Sequence, residues 1–154
     1  MKIYQQFQWD KEEIANLATH GIGVVASAIG LGFLLYVAKT NGGVWEQVSF
    51  GIFGITMLLV FLSSTIYHTI RTPKLKIIFQ TIDQSAIFLL IAGSYVPFCL
   101  VSMRGVWGWS ILSIVWIMAI AGIALKFYFQ NRVVKPFIYL YSAMGWLCVI
   151  AVKE

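Results

Sequence analysis

Charge is scarce in this 154-residue chain: Asp, Glu, Lys and Arg together make up 11% of it. A soluble domain of this size usually carries about 25% charged residues, so the composition argues against a water-solvated globule. The net charge of +5 does not outline a nucleic-acid surface either, because the basic residues lie between apolar blocks rather than along one polar face. There are two cysteines, Cys99 and Cys148. Both fall inside apolar runs and lack the CxxC spacing of a metal site, so both are expected to be buried small hydrophobes. A secretory signal is also missing: acidic residues stand where a basic leading region is needed, and the first apolar stretch is longer than a signal core. The first helix is therefore expected to stay in the mature protein. Repeats, low-complexity tracts and linkers are absent, which predicts a single domain over residues 1–154.

Long apolar runs are what the chain has in abundance. Hydrophobic residues make up 60% of it and the mean hydropathy is +0.83, against roughly 45–50% apolar residues in a soluble domain. A membrane-spanning helix needs about 20 mostly apolar residues, and the pattern predicts an all-α, polytopic transmembrane bundle of about five spans. The first runs from about Leu17 to Ala38 and ends in Lys39-Thr40-Asn41-Gly42-Gly43, a helix stop and tight reversal. The second covers about Val48 to Ile70. Thr72 is placed to cap the third and Pro73 to open it. That span extends to about Val96, where Pro97 is expected to break it. The fourth covers about Val106 to Phe129, Gln130-Asn131-Arg132 form a polar loop, and Pro136 opens a short fifth run ending at Val152. Gly21, Gly23, Gly30, Gly32, Gly51, Gly54, Gly122 and Gly145 recur within the spans as helix-packing surface. Six Trp, seven Tyr and eleven Phe suit rings at headgroup level.

Loop charge predicts orientation. With the N-terminus cytoplasmic, Lys2, Lys11, Arg71, Lys74, Lys76, Lys126, Arg132 and Lys135 are inside, and Lys39, Arg104 and Lys153 outside. Eight against three favours this arrangement in the cell (inner) membrane, as an up-down bundle of antiparallel neighbours. Lys126 is then expected to snorkel to the headgroups. Membrane lipids are the expected surroundings, with no nucleic-acid partner.

Three ionisable residues do not belong in lipid, and each asks for a partner or a role: His20, His68 and Asp83. Asp83 lies seven residues past Lys76, about 10 Å into the third helix at 1.5 Å per residue. All three fall toward the same, cytoplasmic, leaflet. Glu12, Asn16 and His20 make a stripe on the first helix, Ser64 and His68 are one turn apart on the second, and Gln80, Asp83 and Gln84 share a face of the third. Turning these stripes inward makes a polar cavity. Its chemistry has three readings: a metal site in which a carboxylate orients a bound water, a proton relay, or helix glue made of buried hydrogen bonds. For His20, beside Gly21, packing or capping is the simpler role, and Glu12 and Glu13 read as solvated residues of the incoming segment.

The stretches Glu12-Glu13-Ile14-Ala15-Asn16-Leu17-Ala18-Thr19-His20-Gly21, Ser63-Ser64-Thr65-Ile66-Tyr67-His68, and Ile82-Asp83-Gln84-Ser85 continuing to Ser94-Tyr95-Val96-Pro97-Phe98 resemble the bacterial hemolysin III family. That family is similar to the progestin and adiponectin membrane receptors and to alkaline ceramidases. The resemblance covers nearly the whole chain. It implies a seven-helix bundle with a cytosolic N-terminus and a zinc site near the inner leaflet. On that pattern His68 is a zinc ligand, Asp83 the water-orienting carboxylate and Ser64 its polar neighbour, and the implied reaction is metal-assisted hydrolysis of an amide in a lipid. The sequence departs from the pattern in having no HxxxH after its fifth run, so a three-histidine site is not available from His20 and His68 alone. The resemblance leaves open a piece of a longer protein, a short form, or a homo-oligomer in which a second copy completes the site. Two alternatives stand beside the hydrolase reading: a membrane-permeabilising cytolysin, and an inactive structural remnant.

Overall fold

The computed structural model describes residues 11–129 and 135–151. Five helices follow one another: α1 (Lys11–Asn41), α2 (Val44–Thr69), α3 (Pro73–Pro97), α4 (Val106–Phe129) and α5 (Lys135–Ala151). The first four are long and apolar enough to cross a membrane, α3 together with the turn that follows it, whereas α5 is a shorter apolar helix. At 17 residues, α5 is about 26 Å long, below the roughly 30 Å of a hydrocarbon core. The expected all-α polytopic bundle is therefore what forms, with four full-length spans and one short helix. The expected Gln130-Asn131-Arg132 loop, Lys2, Lys153 and the end of the last run at Val152 lie outside the described residues.

Short connections enforce antiparallel neighbours. Between α1 and α2 only Gly42 and Gly43 intervene, and the Gly43 amide donates to Glu46 Oε2 at 2.7 Å, closing the first turn of α2. Between α2 and α3 the chain is extended at Ile70 and Thr72, as a residue before proline prefers, and Pro73 opens α3. Thr72 occupies the cap position, but its hydroxyl makes no capping bond; the Lys76 amide donates to its carbonyl instead, at 2.9 Å.

Pro97 does not break the third span. Helical backbone continues as a π-helical turn over Phe98–Ser102, with the Met103 amide donating to the Phe98 carbonyl at 2.8 Å. Proline removes one donor and crowds the preceding turn, yet helical backbone continues past it in the wider turn. The chain reverses at Gly105, whose φ of 133° lies where only glycine is comfortable.

The core lies around α3, which packs on α2, α4 and α5. Phe88, Ala92, Tyr95, Val96, Cys99 and Leu100 meet Ile111, Leu112, Val115 and Ala119 of α4 and Phe137 and Met144 of α5. The Tyr95 hydroxyl donates to the Met144 carbonyl at 2.6 Å and the Tyr141 hydroxyl to the Gln84 carbonyl at 2.8 Å, tying α3 to α5. Helix α1 packs mainly on α2, and its remaining apolar surface is exposed to the surroundings of the bundle.

Side-chain placement corrects several expectations. Cys99 is buried, but Cys148 is exposed on α5. Lys126 does not snorkel: it is 2% exposed, with Nζ 4.4 Å from the centre of the Phe137 ring. Among the glycines expected at contacts, a Cβ on Gly54 would meet Leu31 Cδ1 at 2.6 Å and one on Gly122 would meet Phe88 Cζ at 2.6 Å, whereas Gly21, Gly30, Gly32 and Gly145 face open space.

Candidate polar site at the leading end of the bundle

The end of the bundle where α1 and α3 begin and α2 finishes collects the polar residues. Glu13 and His20 come from α1, Ser63, Ser64, Tyr67 and His68 from α2, and Lys76 and Asp83 from α3. His68 Nδ1 is 2.6 Å from Glu13 Oε2. The other oxygen of the same carboxylate, Oε1, accepts from Lys76 Nζ at 3.0 Å. Lys76 also donates to the Tyr67 carbonyl at 3.1 Å and lies 4.1 Å from the centre of the Tyr67 ring. One carboxylate thus joins three helices, and all three side chains are withdrawn from the surroundings, with 13% of His68, 14% of Lys76 and 20% of Glu13 exposed.

Further in, His20 stacks on His68, with ring centroids 5.7 Å apart and planes 12° from parallel. It also lies near the Phe61 ring, centroids 6.1 Å apart and planes tilted by 47°. His20 Nδ1 is buried and has no hydrogen-bond partner among the described residues. The Asp83 carboxylate is within hydrogen-bonding reach of the Ser64 and Ser63 hydroxyls and within electrostatic range of both imidazoles. Ser63 also donates to the Val60 carbonyl at 3.0 Å, and Ser64 is buried beside it.

Electrostatics hold Glu13 ionised. It stands one turn ahead of the apolar stretch that starts at Leu17. Burial acts to raise its pKa, but hydrogen bonds from His68 and Lys76 and the charge of Lys76 outweigh that and bring it below the usual glutamate value.

His20, Ser64, His68 and Asp83 therefore come together as the sequence predicts, but the acidic residue of α1 is not the expected one. Glu12 and Asn16 are exposed, and Glu13 is the residue turned inward. Helix phase explains this: at about 100° per residue, Glu12 is about 80° from His20 around the helix, whereas Glu13, seven residues away, is only about 20° off. The i, i+7 relation was the signal for it. Among the described residues no group of three or more His, Cys, Asp or Glu side chains is placed to hold a metal ion. What the pocket offers a metal is one imidazole whose second nitrogen rests on a carboxylate, the usual condition of a histidine ligand, together with the Asp83 carboxylate. Those donors fit one wall of a zinc site rather than a closed one.

A helical bundle with apolar outer faces and a polar cluster sealed among three of its helices is an integral membrane protein of the multi-helix kind. The sequence profile of the haemolysin-III related family matches residues 7–154, and the chain belongs to that family. It is 50% identical over 143 residues to the "Hemolysin-3 homolog" of Bacillus subtilis (strain 168), covering 93% of this chain and 67% of that protein. Similarity to the "Hemolysin-3" of Bacillus cereus is 43% over 152 residues, covering 99% of this chain and 69% of the relative. A more distant relative is the human "Monocyte to macrophage differentiation factor", 24% identical over 148 residues and matched over 61% of its length. The chain thus spans about two thirds of the length of the two bacterial relatives. No solved structure matches it.

Proposed function

We propose that the polar pocket of α1–α3 is one wall of a zinc-dependent hydrolytic site facing the inner leaflet, acting on an amide bond in a lipid. The observation that carries this reading is the convergence of His68, Asp83 and Ser64 inside an otherwise apolar bundle, where unpaired polar groups are costly. His68 would hold the metal, with its Nδ1 engaged by Glu13 and its Nε2 left as the donor. Zinc bound there would supply Lewis acidity and a water ionisable near neutral pH. Asp83, supported by the Ser64 hydroxyl, accepts a proton from that position and orients what binds there. The donors fall short of the three protein ligands usual for catalytic zinc, so the remaining ligands come from outside the described residues or from a second copy of the chain. The eight-to-three distribution of Lys and Arg supports a cytoplasmic placement of this pocket and of the N-terminus in the cell membrane.

The test is hydrolysis of N-acyl lipid amides by protein reconstituted in vesicles with added zinc, reading released fatty acid. Wild type is expected to exceed Asp83→Ala by at least tenfold; equal rates would defeat the hydrolase reading. The names of the bacterial relatives raise permeabilisation as the other activity. Here the polar side chains are packed against one another among helices instead of along an outer stripe, and dye-filled vesicles are expected to stay sealed at low protein-to-lipid ratio.

A further inference from the structure

Glu13 and Lys76 form a pair whose geometry goes beyond holding helices together. Glu13 places Oε2 2.6 Å from His68 Nδ1 while Oε1 is held by Lys76 at 3.0 Å. Lys76 is itself fixed on two further sides, by the Tyr67 carbonyl at 3.1 Å and the Tyr67 ring. An ionised carboxylate only accepts hydrogen bonds, so the nitrogen facing it carries the proton. Tyr67 directly precedes His68 in α2 and makes a near edge-on contact with its ring at 4.8 Å. The lysine that steadies the carboxylate is thus anchored beside the imidazole that the carboxylate addresses.

We infer that Glu13, backed by Lys76, is a positioning residue that fixes His68 as its Nδ1–H tautomer and so leaves Nε2 as the free donor nitrogen. Helix α1, which packs mainly on α2, thereby controls a ligand it does not carry, and Lys76 brings α3 into the same control. The value of this arrangement for metal binding rests on the zinc reading above; the tautomer assignment does not. Loss of such an outer partner typically weakens metal binding 10–100-fold.

The experiment is ¹⁵N NMR of histidine-labelled protein in detergent micelles at pH 8, where tautomers are read directly from the ring nitrogens. With only His20 and His68 in the chain, a His20→Asn variant assigns the signals. Wild type is expected to show a protonated Nδ1 and an unprotonated Nε2 on His68. Glu13→Gln, which keeps an acceptor, retains that form. Glu13→Ala shifts it toward the Nε2–H form that free imidazole side chains prefer in water, and Lys76→Met gives a mixture. An Nε2–H or doubly protonated His68 in wild type, or a tautomer unchanged in Glu13→Ala, would overturn the inference. Should Glu13→Ala not fold, Lys76→Met carries the same decision, and an unchanged tautomer there counts against the pair. Zinc titration of the same samples separates the two ideas: a Glu13-dependent tautomer without zinc binding sinks the hydrolase reading and upholds the positioning role.

Discussion

Replacing Gly93 by alanine strikes a close approach of α2 to α3. A Cβ built there falls inside contact distance of Thr56 Oγ1 and 3.0 Å from Thr56 Cβ and Cγ2. Thr56 is buried, and its hydroxyl donates to the Phe53 carbonyl at 2.9 Å. Rotating the Thr56 side chain to move Oγ1 away therefore gives up a hydrogen bond of roughly 0.5–1.5 kcal/mol and still leaves Thr56 Cβ, which the rotation does not move, 3.0 Å from the new methyl. The helices must separate instead, and overpacking of this kind costs about 1–3 kcal/mol. Alanine's better helix propensity returns up to about 1 kcal/mol, so the net loss expected is about 0–2 kcal/mol, and about 1–3 kcal/mol relative to a glycine-to-alanine change that meets nothing. The matched control is Gly32→Ala, which gains the same propensity and meets nothing within 4 Å. Reversible unfolding in mixed micelles, followed by far-UV circular dichroism, should show Gly93→Ala destabilised and Gly32→Ala neutral or slightly stabilised. Adding Thr56→Ala to Gly93→Ala should recover most of the loss. Gly93→Ala unfolding at the same midpoint as Gly32→Ala would refute the packing argument.

Two further outcomes follow from buried and terminal charges. Lys126 is almost fully buried against an aromatic ring, so Lys126→Met removes a desolvated charge of similar shape and should unfold at an equal or higher midpoint, whereas a snorkelling lysine would lose interfacial anchoring and stability. Glu46, in the first turn of α2 ahead of the apolar stretch, has its pKa lowered by its own amide and that of Gly43, with a smaller contribution from Arg104, which donates to Oε1 at 2.9 Å. A lowered folded-state pKa means that its stabilisation is present above pH of about 4.5 and fades as pH falls through the folded value; Glu46→Gln should flatten that acid limb of the stability profile.

Much of the fold was legible because bilayer-length apolar runs admit little besides helices, and glycine and proline mark the reversals between them. The polar cluster was legible where an ionisable residue fell within a bilayer-length run, as His68 and Asp83 do. What stayed hidden depends on which neighbour faces which helix. The choice of Glu13 over Glu12 needed the rotational phase of α1 relative to α2. Gly93 was overlooked because its importance comes from Thr56 on another helix, and the exposure of Cys148 depends on which face of α5 meets α3 and α4. Lys126 misled because its position near a helix end suits snorkelling, while the packing of α5 places Phe137 over it. Pro97 misled because helical backbone continues past it as a π-helical turn.

The most direct test of the zinc-site reading is the metal content of protein purified in detergent, equilibrated with trace zinc and passed through a desalting column. One zinc per chain, or one per pair of chains if a second copy supplies the missing ligands, is expected for wild type, falling to background in His68→Ala and reduced in Asp83→Ala. Zinc content that is the same in wild type and His68→Ala would contradict it.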